Sequence, residues 1–164
     1  MSETSRCRES LQKWCQGNGL DLGHGGDPIR PAAVTVDLPH PYSRVGHHPT
    51  NLEGDATSLY WFADGVLDYV YSSHLLEDFR NTRYVLLEWL RVLKPGGHLV
   101  LYCPDEKRFR RHCAETGQET NMAHKHLDFS LAKVMTIMER LPVDIVWQKD
   151  AMHDYSWALV VVKR

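Results

Sequence analysis

Apolar positions in this chain fall mostly in short runs, cut off by glycine, proline or an acid. Runs at 19–22 (GLDL), 33–38 (AVTVDL), 51–55, 67–71, 98–103, 144–148 and 156–162 predict seven strands. The run at 67–71 is nearly continuous, the pattern of a strand covered on both faces. A helical period shows in fewer places. Cys7, Leu11, Trp14 and Cys15 make one stripe over 4–16, and Leu86, Trp89, Leu90 and Leu93 make another over 84–94. Leu131, Val134, Met135 and Met138 follow Asp128 or Ser130, either of which can cap a last helix. One helical turn is read at 57–62. Residues 104–125 are polar and mixed, and read as loop.

The connections decide the topology. Strands 1 and 2 are joined by HGGDPIRPA, whose prolines and glycines support no helix of useful length. The link over 39–50 is equally loop-like. The segment 149–155 is too short for a helical crossover, so the last two strands form an antiparallel hairpin closing a mostly parallel sheet. The fold class is therefore α/β, with reduced helices after strands 1 and 2. Thin cover on one face near strands 1–3 would leave apolar surface and favour a homodimer.

Size and composition narrow the rest. A chain of 164 residues, 43% hydrophobic and 24% charged, fits one domain over 1–164, with 1–18 as a helical lead-in. A formal charge of -2 advertises no basic field for nucleic acid. The N-terminal stretch lacks a signal-peptide core and no apolar run suits a membrane span, so the expected location is cytoplasmic. Cys7, Cys15, Cys103 and Cys113 form no C-x-x-C pair, and the ten histidines form no H-E-x-x-H. Reduced structural cysteines and no metal site are the expectation.

The stretch GLDLGHGGDP carries the chemistry. A strand breaks into a turn at Gly23, Gly25 and Gly26, where backbone without Cβ can approach a ligand closely. A nicotinamide-type G-x-G-x-x-G does not fit, because its last position is Pro28 and no helix follows. The segment Asp21-Leu22-Gly23-His24-Gly25 instead resembles the first motif of the class I, Rossmann-like S-adenosylmethionine-dependent methyltransferases. Asp37 after strand 2, Asp55 in GDA, YSSHLLED and VLKPGGHLVL resemble further motifs of that family, in the same order along residues 19–163.

The resemblance implies S-adenosylmethionine as cofactor. Gly23, His24 and Gly25 would face its methionine part. Asp37 and Leu38 would hold the ribose, a carboxylate accepting from both hydroxyls. Asp55 and Ala56 would meet the adenine, and Ser72, Ser73 and His74 would stand beside the methyl donor. Asp21 is expected to brace the turn through backbone N–H groups. The missing helix after strand 1 leaves the cofactor's carboxylate to a nest of N–H groups in the turn.

The acceptor side is less determined. AHKHLDFS resembles a loop that faces the acceptor in several small-molecule methyltransferases, which makes His126 and, at the donor edge, His74 the candidate catalytic residues; His124 and Asp128 are also candidate bases. Segments 40–50, 72–78 and 104–128 would build the pocket. Lys107, Arg108, Arg110 and Arg111 read as a solvated face, with little aromatic interleaving for single-strand stacking. The expected activity is methyl transfer to an oxygen or nitrogen of a small molecule, such as a sugar or secondary metabolite. A macromolecular acceptor (RNA or protein) and a non-catalytic cofactor-binding subunit are the alternatives.

Overall fold

The computed structural model describes residues 2–41 and 44–164. Seven strands form one sheet: β1 (Gly19–Leu22), β2 (Val34–Asp37), β3 (Leu52–Glu53), β4 (Leu67–Ser73), β5 (Leu93–Pro104), β6 (Val143–Met152) and β7 (Ser156–Lys163). Their order is β3-β2-β1-β4-β5-β7-β6, parallel throughout except for β7, which runs antiparallel to both β5 and β6. β1 sits centrally, with β2 on one side and β4 on the other. The chain reverses its direction of travel across the sheet there, and such a switch point opens a crevice at the carboxyl ends of the strands.

Four α-helices accompany the sheet among the described residues: α1 (Glu3–Leu11), α2 (Thr82–Val92), α3 (Glu106–Thr116) and α4 (Leu131–Met138). One face packs Leu20, Leu22, Val70 and Leu99 against Val85, Leu86 and Trp89 of α2 and against Val134 and Met138 of α4. The other packs Tyr69, Tyr71, Val100 and Tyr102 against Cys7 and Leu11 of α1, then Cys15, Ile29 and Ala33. Among the described residues no helix lies between β1 and β2 or between β2 and β3. The N-terminal helix and the irregular segment at Ile29–Ala33 cover that face instead, so the thin cover expected to drive self-association is not there. All four cysteines are free and buried. No helix among the described residues is long and apolar enough to cross a membrane.

The helices differ from the sequence reading in two places. Residues 57–62 form turns, not a helix. Two side chains of α2 take their backbone groups: the Leu59 N–H donates to Glu88 at 2.7 Å, and Arg91 donates to the carbonyls of Leu59 and Phe62 at 3.1 and 2.9 Å. Residues 106–116, read as loop, form α3. Asp105 caps it by accepting from the Arg108 N–H at 3.0 Å, and Gly117 closes it with a left-handed φ of 70°. Only Glu106 and Cys113 of α3 are buried, so no apolar stripe announces it.

Candidate active site

A cleft of about 520 Å³ opens at the carboxyl ends of β1, β2 and β4. Gly23, His24 and Gly25 form part of its wall, with Asp37, Leu38, Asp55, Ala56, Ser73 and His74 around them. Nine of the residues expected around a cofactor therefore share one cavity.

The glycine turn is built by left-handed backbone: φ is 69° at Gly23, 55° at Gly25 and 82° at Gly26. Its N–H groups are engaged internally. Gly23 donates to the Val36 carbonyl at 2.9 Å, Gly25 to Asp37 Oδ2 at 3.2 Å and Gly26 to His24 Nδ1 at 3.1 Å. The last bond fixes the tautomer. Nδ1 accepts, so Nε2 carries the proton and donates to Thr50 Oγ1 at 3.0 Å. Burial holds the His24 imidazole below its usual pKa. The expected nest does not stand open, because Asp37 and His24 already occupy the Gly25 and Gly26 N–H groups.

Asp37 accepts a second bond from the Leu38 N–H at 2.9 Å. A carboxylate offers about four lone-pair positions, and the described residues take two of them. Asp55 is exposed and accepts from the Thr57 N–H at 2.8 Å. Ala56 is tied to the core through its carbonyl, which accepts from Trp89 Nε1 at 2.8 Å.

Asp21, Ser72 and His126 lie off the cleft wall, as do the candidate bases His124 and Asp128. Asp21 is fully buried and accepts from the Ile29 N–H at 2.5 Å, while Oδ1 has no hydrogen-bond partner; burial pushes its carboxyl well above the usual range. It braces the covering segment by a backbone bond, eight residues downstream. Ser72 is buried and donates to the Leu22 carbonyl at 3.3 Å, tying β4 to β1. His126 donates through Nε2 to the Phe79 carbonyl at 2.7 Å and stacks on Phe129.

His74 does reach the wall. Its backbone is left-handed, with φ at 50°, an uncommon conformation for a residue with a Cβ. Its Nε2 meets Ser156 Oγ at 3.0 Å and lies 3.5 Å from Glu3 Oε2. Burial, the dominant influence, lowers its pKa to about 4, so the ring is neutral near pH 7. The unfolded chain, with an ordinary histidine near 6.5, binds more protons between pH 4 and 6.5. This residue's contribution to stability is therefore present above pH 6.5 and lost as pH falls toward 4. His74→Gln is expected to flatten the decline of the urea midpoint across that window; an unchanged slope would refute the burial of a neutral ring.

Sequence reasoning missed part of the opposite wall. Ser2, Glu3 and Thr4, at the start of α1, line the cleft, as does Phe79, while Asn121 and Lys125 come from the 104–128 segment expected there. Ser2 caps α1 by accepting from the Ser5 N–H at 2.9 Å, and Glu3 accepts from the Tyr155 hydroxyl at 2.9 Å. No local motif links Glu3 to the hairpin, so nothing short in the sequence marks it. Two of the four cations of the α3 cluster are paired: Arg108 with Asp150 at 2.6 Å and Arg110 with Glu106 at 2.6 Å. Tyr42 and Ser43, within the loop expected to border the pocket, lie outside the described residues.

A methyltransferase-domain family model matches residues 29–101. A protein of Pyrococcus horikoshii superposes with a TM-score of 0.73 at 19% identity, over 98% of this chain and 89% of its own. A SAM-dependent methyltransferase of Archaeoglobus fulgidus gives 0.73 at 16%, over 98% and 92%. A structure of the Haloferax volcanii Trm112 methyltransferase activator in complex with a methyltransferase gives 0.69 at 16%, over 98% and 87%. This is the class I, Rossmann-like methyltransferase fold. A search of curated proteins found no match. In open α/β sheets ligands bind outside the carboxyl ends of the strands at the switch point, and the cleft here occupies that position. The matched family model and the Archaeoglobus neighbour's description as SAM-dependent make S-adenosylmethionine the group to test against the cleft. The residues fit it: a cleft within the usual size for small ligands, glycines at the turn, and the Asp37 carboxylate on its wall.

Proposed function

We propose that the chain transfers a methyl group from S-adenosylmethionine to an oxygen or nitrogen of a small molecule. The observation that carries this reading is the shared cleft. Turn 23–25, Asp37 and Ala56 stand on one part of its wall, and His74, Phe79, Asn121 and Lys125 on another. In this reading Asp37 accepts from the ribose hydroxyls, and Asp55 and Ala56 meet the adenine. The sulfonium supplies an activated methyl and leaves with the electron pair of its broken C–S bond. The acceptor donates a lone pair, forms the new bond and loses a proton when it began neutral with one to lose.

His74 suits a wall more than a base. A ring held neutral by burial, with its pKa near 4, takes up a proton poorly at pH 7. Alignment of acceptor and methyl then supplies most of the acceleration. His126, bonded to the Phe79 carbonyl, would act by holding that part of the wall. The paired arginines of α3 favour a small acceptor over a polyanion.

The test is methyl incorporation from radiolabelled S-adenosylmethionine into fractionated extracts. Label is expected in the metabolite fraction. Label confined to RNA or protein would reject the small-molecule acceptor. Cofactor binding without incorporation into any fraction would favour a cofactor-binding subunit, a reading to which the activator complex of the Haloferax neighbour lends some precedent for partner dependence.

A further inference from the structure

Beneath the acceptor end of the cleft lies a buried group of charged side chains that methyl transfer does not use. Glu77 sits on the short 3-10 turn after β4 (Leu76–Asp78), and His124 on the loop between α3 and α4. Their side chains are 1% and 2% exposed. One ligand atom from each of Glu77, Asp78 and His124 lies within 4.8 Å of the other two.

The histidine is already oriented as a ligand would be. Its Nδ1 is 2.6 Å from Glu106 Oε2, and Glu106 Oε1 accepts from Arg110 Nε at 2.6 Å. With Nδ1–H donating to Glu106, the Nε2 lone pair points toward the acids. A carboxylate bonded behind a histidine in this way fixes its tautomer and raises its basicity as a metal ligand. On the far side, Nε2 is 3.7 Å from Glu77 Oε1, too long for a hydrogen bond. Two metal–ligand bonds of roughly 2.1 Å meeting at an open angle span nearly that distance.

Glu77 is the second, independent sign. Neither of its carboxylate oxygens has a hydrogen-bond partner, although the residue is fully buried. Buried carboxylates are rarely left so, because desolvation without compensation costs several kcal/mol on the order of magnitude seen for polar groups.

We infer that Glu77, Asp78 and His124 form a site for a divalent transition-metal ion, with Zn2+ the best match to two oxygens and one imidazole. Imidazole in the set disfavours Mg2+ and Ca2+, which prefer oxygen ligands throughout. The ion fastens the loop carrying His124 to the turn after β4. Asp78, Ala123 and Lys125 line the cleft, so this fastening sets the acceptor wall. The backbone already makes one stitch there, from the Lys125 N–H to the Glu77 carbonyl at 3.0 Å.

The experiment uses untagged full-length protein, stripped with chelator and titrated with Co2+, then competed with Zn2+. One equivalent of Co2+ is expected to give a visible ligand-field band, displaced by stoichiometric Zn2+. Glu77→Gln and His124→Gln, each checked for native circular dichroism, are expected to lose the band. Glu106→Gln should weaken binding about 10- to 100-fold, the usual effect of losing such a supporting carboxylate. The exposed Glu139→Gln should change nothing. No band in the wild type, or a band that survives Glu77→Gln and so belongs to surface histidines, would overturn the site. If only the variants that unfold lose the band, Zn2+ protection of residues 118–126 from hydrogen exchange in the wild type decides, and its absence counts against the proposal. None of these readouts requires S-adenosylmethionine, so they stand or fall separately from the methyl-transfer reading.

Discussion

Asp37→Ala is expected to weaken S-adenosylmethionine and S-adenosylhomocysteine binding about 100-fold, read by titration calorimetry and by loss of the ligand-induced rise in Tm. Two hydrogen bonds from hydroxyls to a charged acceptor contribute on the order of 3 kcal/mol together, which is two decades in Kd. The substitution has a second consequence. Asp37 also accepts from the Gly25 N–H, so the turn loses a brace at the same time. Asp37→Asn separates the two effects. Its amide oxygen can keep one backbone bond, and its lost charge weakens the ribose contacts. Asparagine is therefore expected to restore fold stability more fully than affinity. Unchanged affinity in Asp37→Ala would remove this carboxylate from the ribose site.

Gly26→Ala is expected to cost roughly 2–4 kcal/mol of stability, seen as a lowered urea midpoint, and to close the cofactor cleft. Gly26 has φ at 82°, and a Cβ there would lie 2.3 Å from the Gly46 carbonyl oxygen. The reciprocal contact is as tight: a Cβ on Gly46 would lie 2.0 Å from the Gly26 carbonyl oxygen. Residues 45–48 strap the turn through three hydrogen bonds, from Val45 and Gly46 to the Gly25 carbonyl and from His48 to the Gly26 carbonyl. Backbone atoms cannot yield as a flexible side chain would. Gly96 supplies the control. Its φ is also 82°, but a Cβ there meets nothing within 4 Å. Gly96→Ala should therefore cost only the backbone penalty of about 1 kcal/mol. If both substitutions cost the same, the strap does not press on the turn.

These two tests bear on residues that the amino-acid pattern already marks. The strands were legible because each is a short apolar run between breakers, and β1 has the same bounds in both readings. The absence of a helix after β1 was legible from its prolines. What escaped detection has a common cause. α3 presents charged residues nearly all round, so its helical period has no apolar stripe to carry it. The turns at 57–62 depend on Glu88 and Arg91, some thirty residues away on α2. The role of Ser2, Glu3 and Thr4 depends on packing that joins the first residues to the last hairpin. His124 was legible as a polar loop residue, but the carboxylates around it come from two other segments. Local pattern cannot report long-range company.

That company between the chain's two ends has a consequence for biosynthesis. α1 is made well before the hairpin, yet Glu3 meets Tyr155 and Arg6 meets Asp154. Within the cleft wall formed by Ser2, Glu3 and Thr4, Glu3 gains its Tyr155 partner only once the hairpin is made, whereas Thr4 is held earlier by Tyr71 of β4. α1 docks on Tyr71 through Thr4 and Cys7, and Ala158 and Val160 of β7 complete that face afterwards. A chain stopped before β7 would carry every glycine and acid of the cofactor turn but lack Ser156, the hydroxyl that meets His74 on the cleft wall.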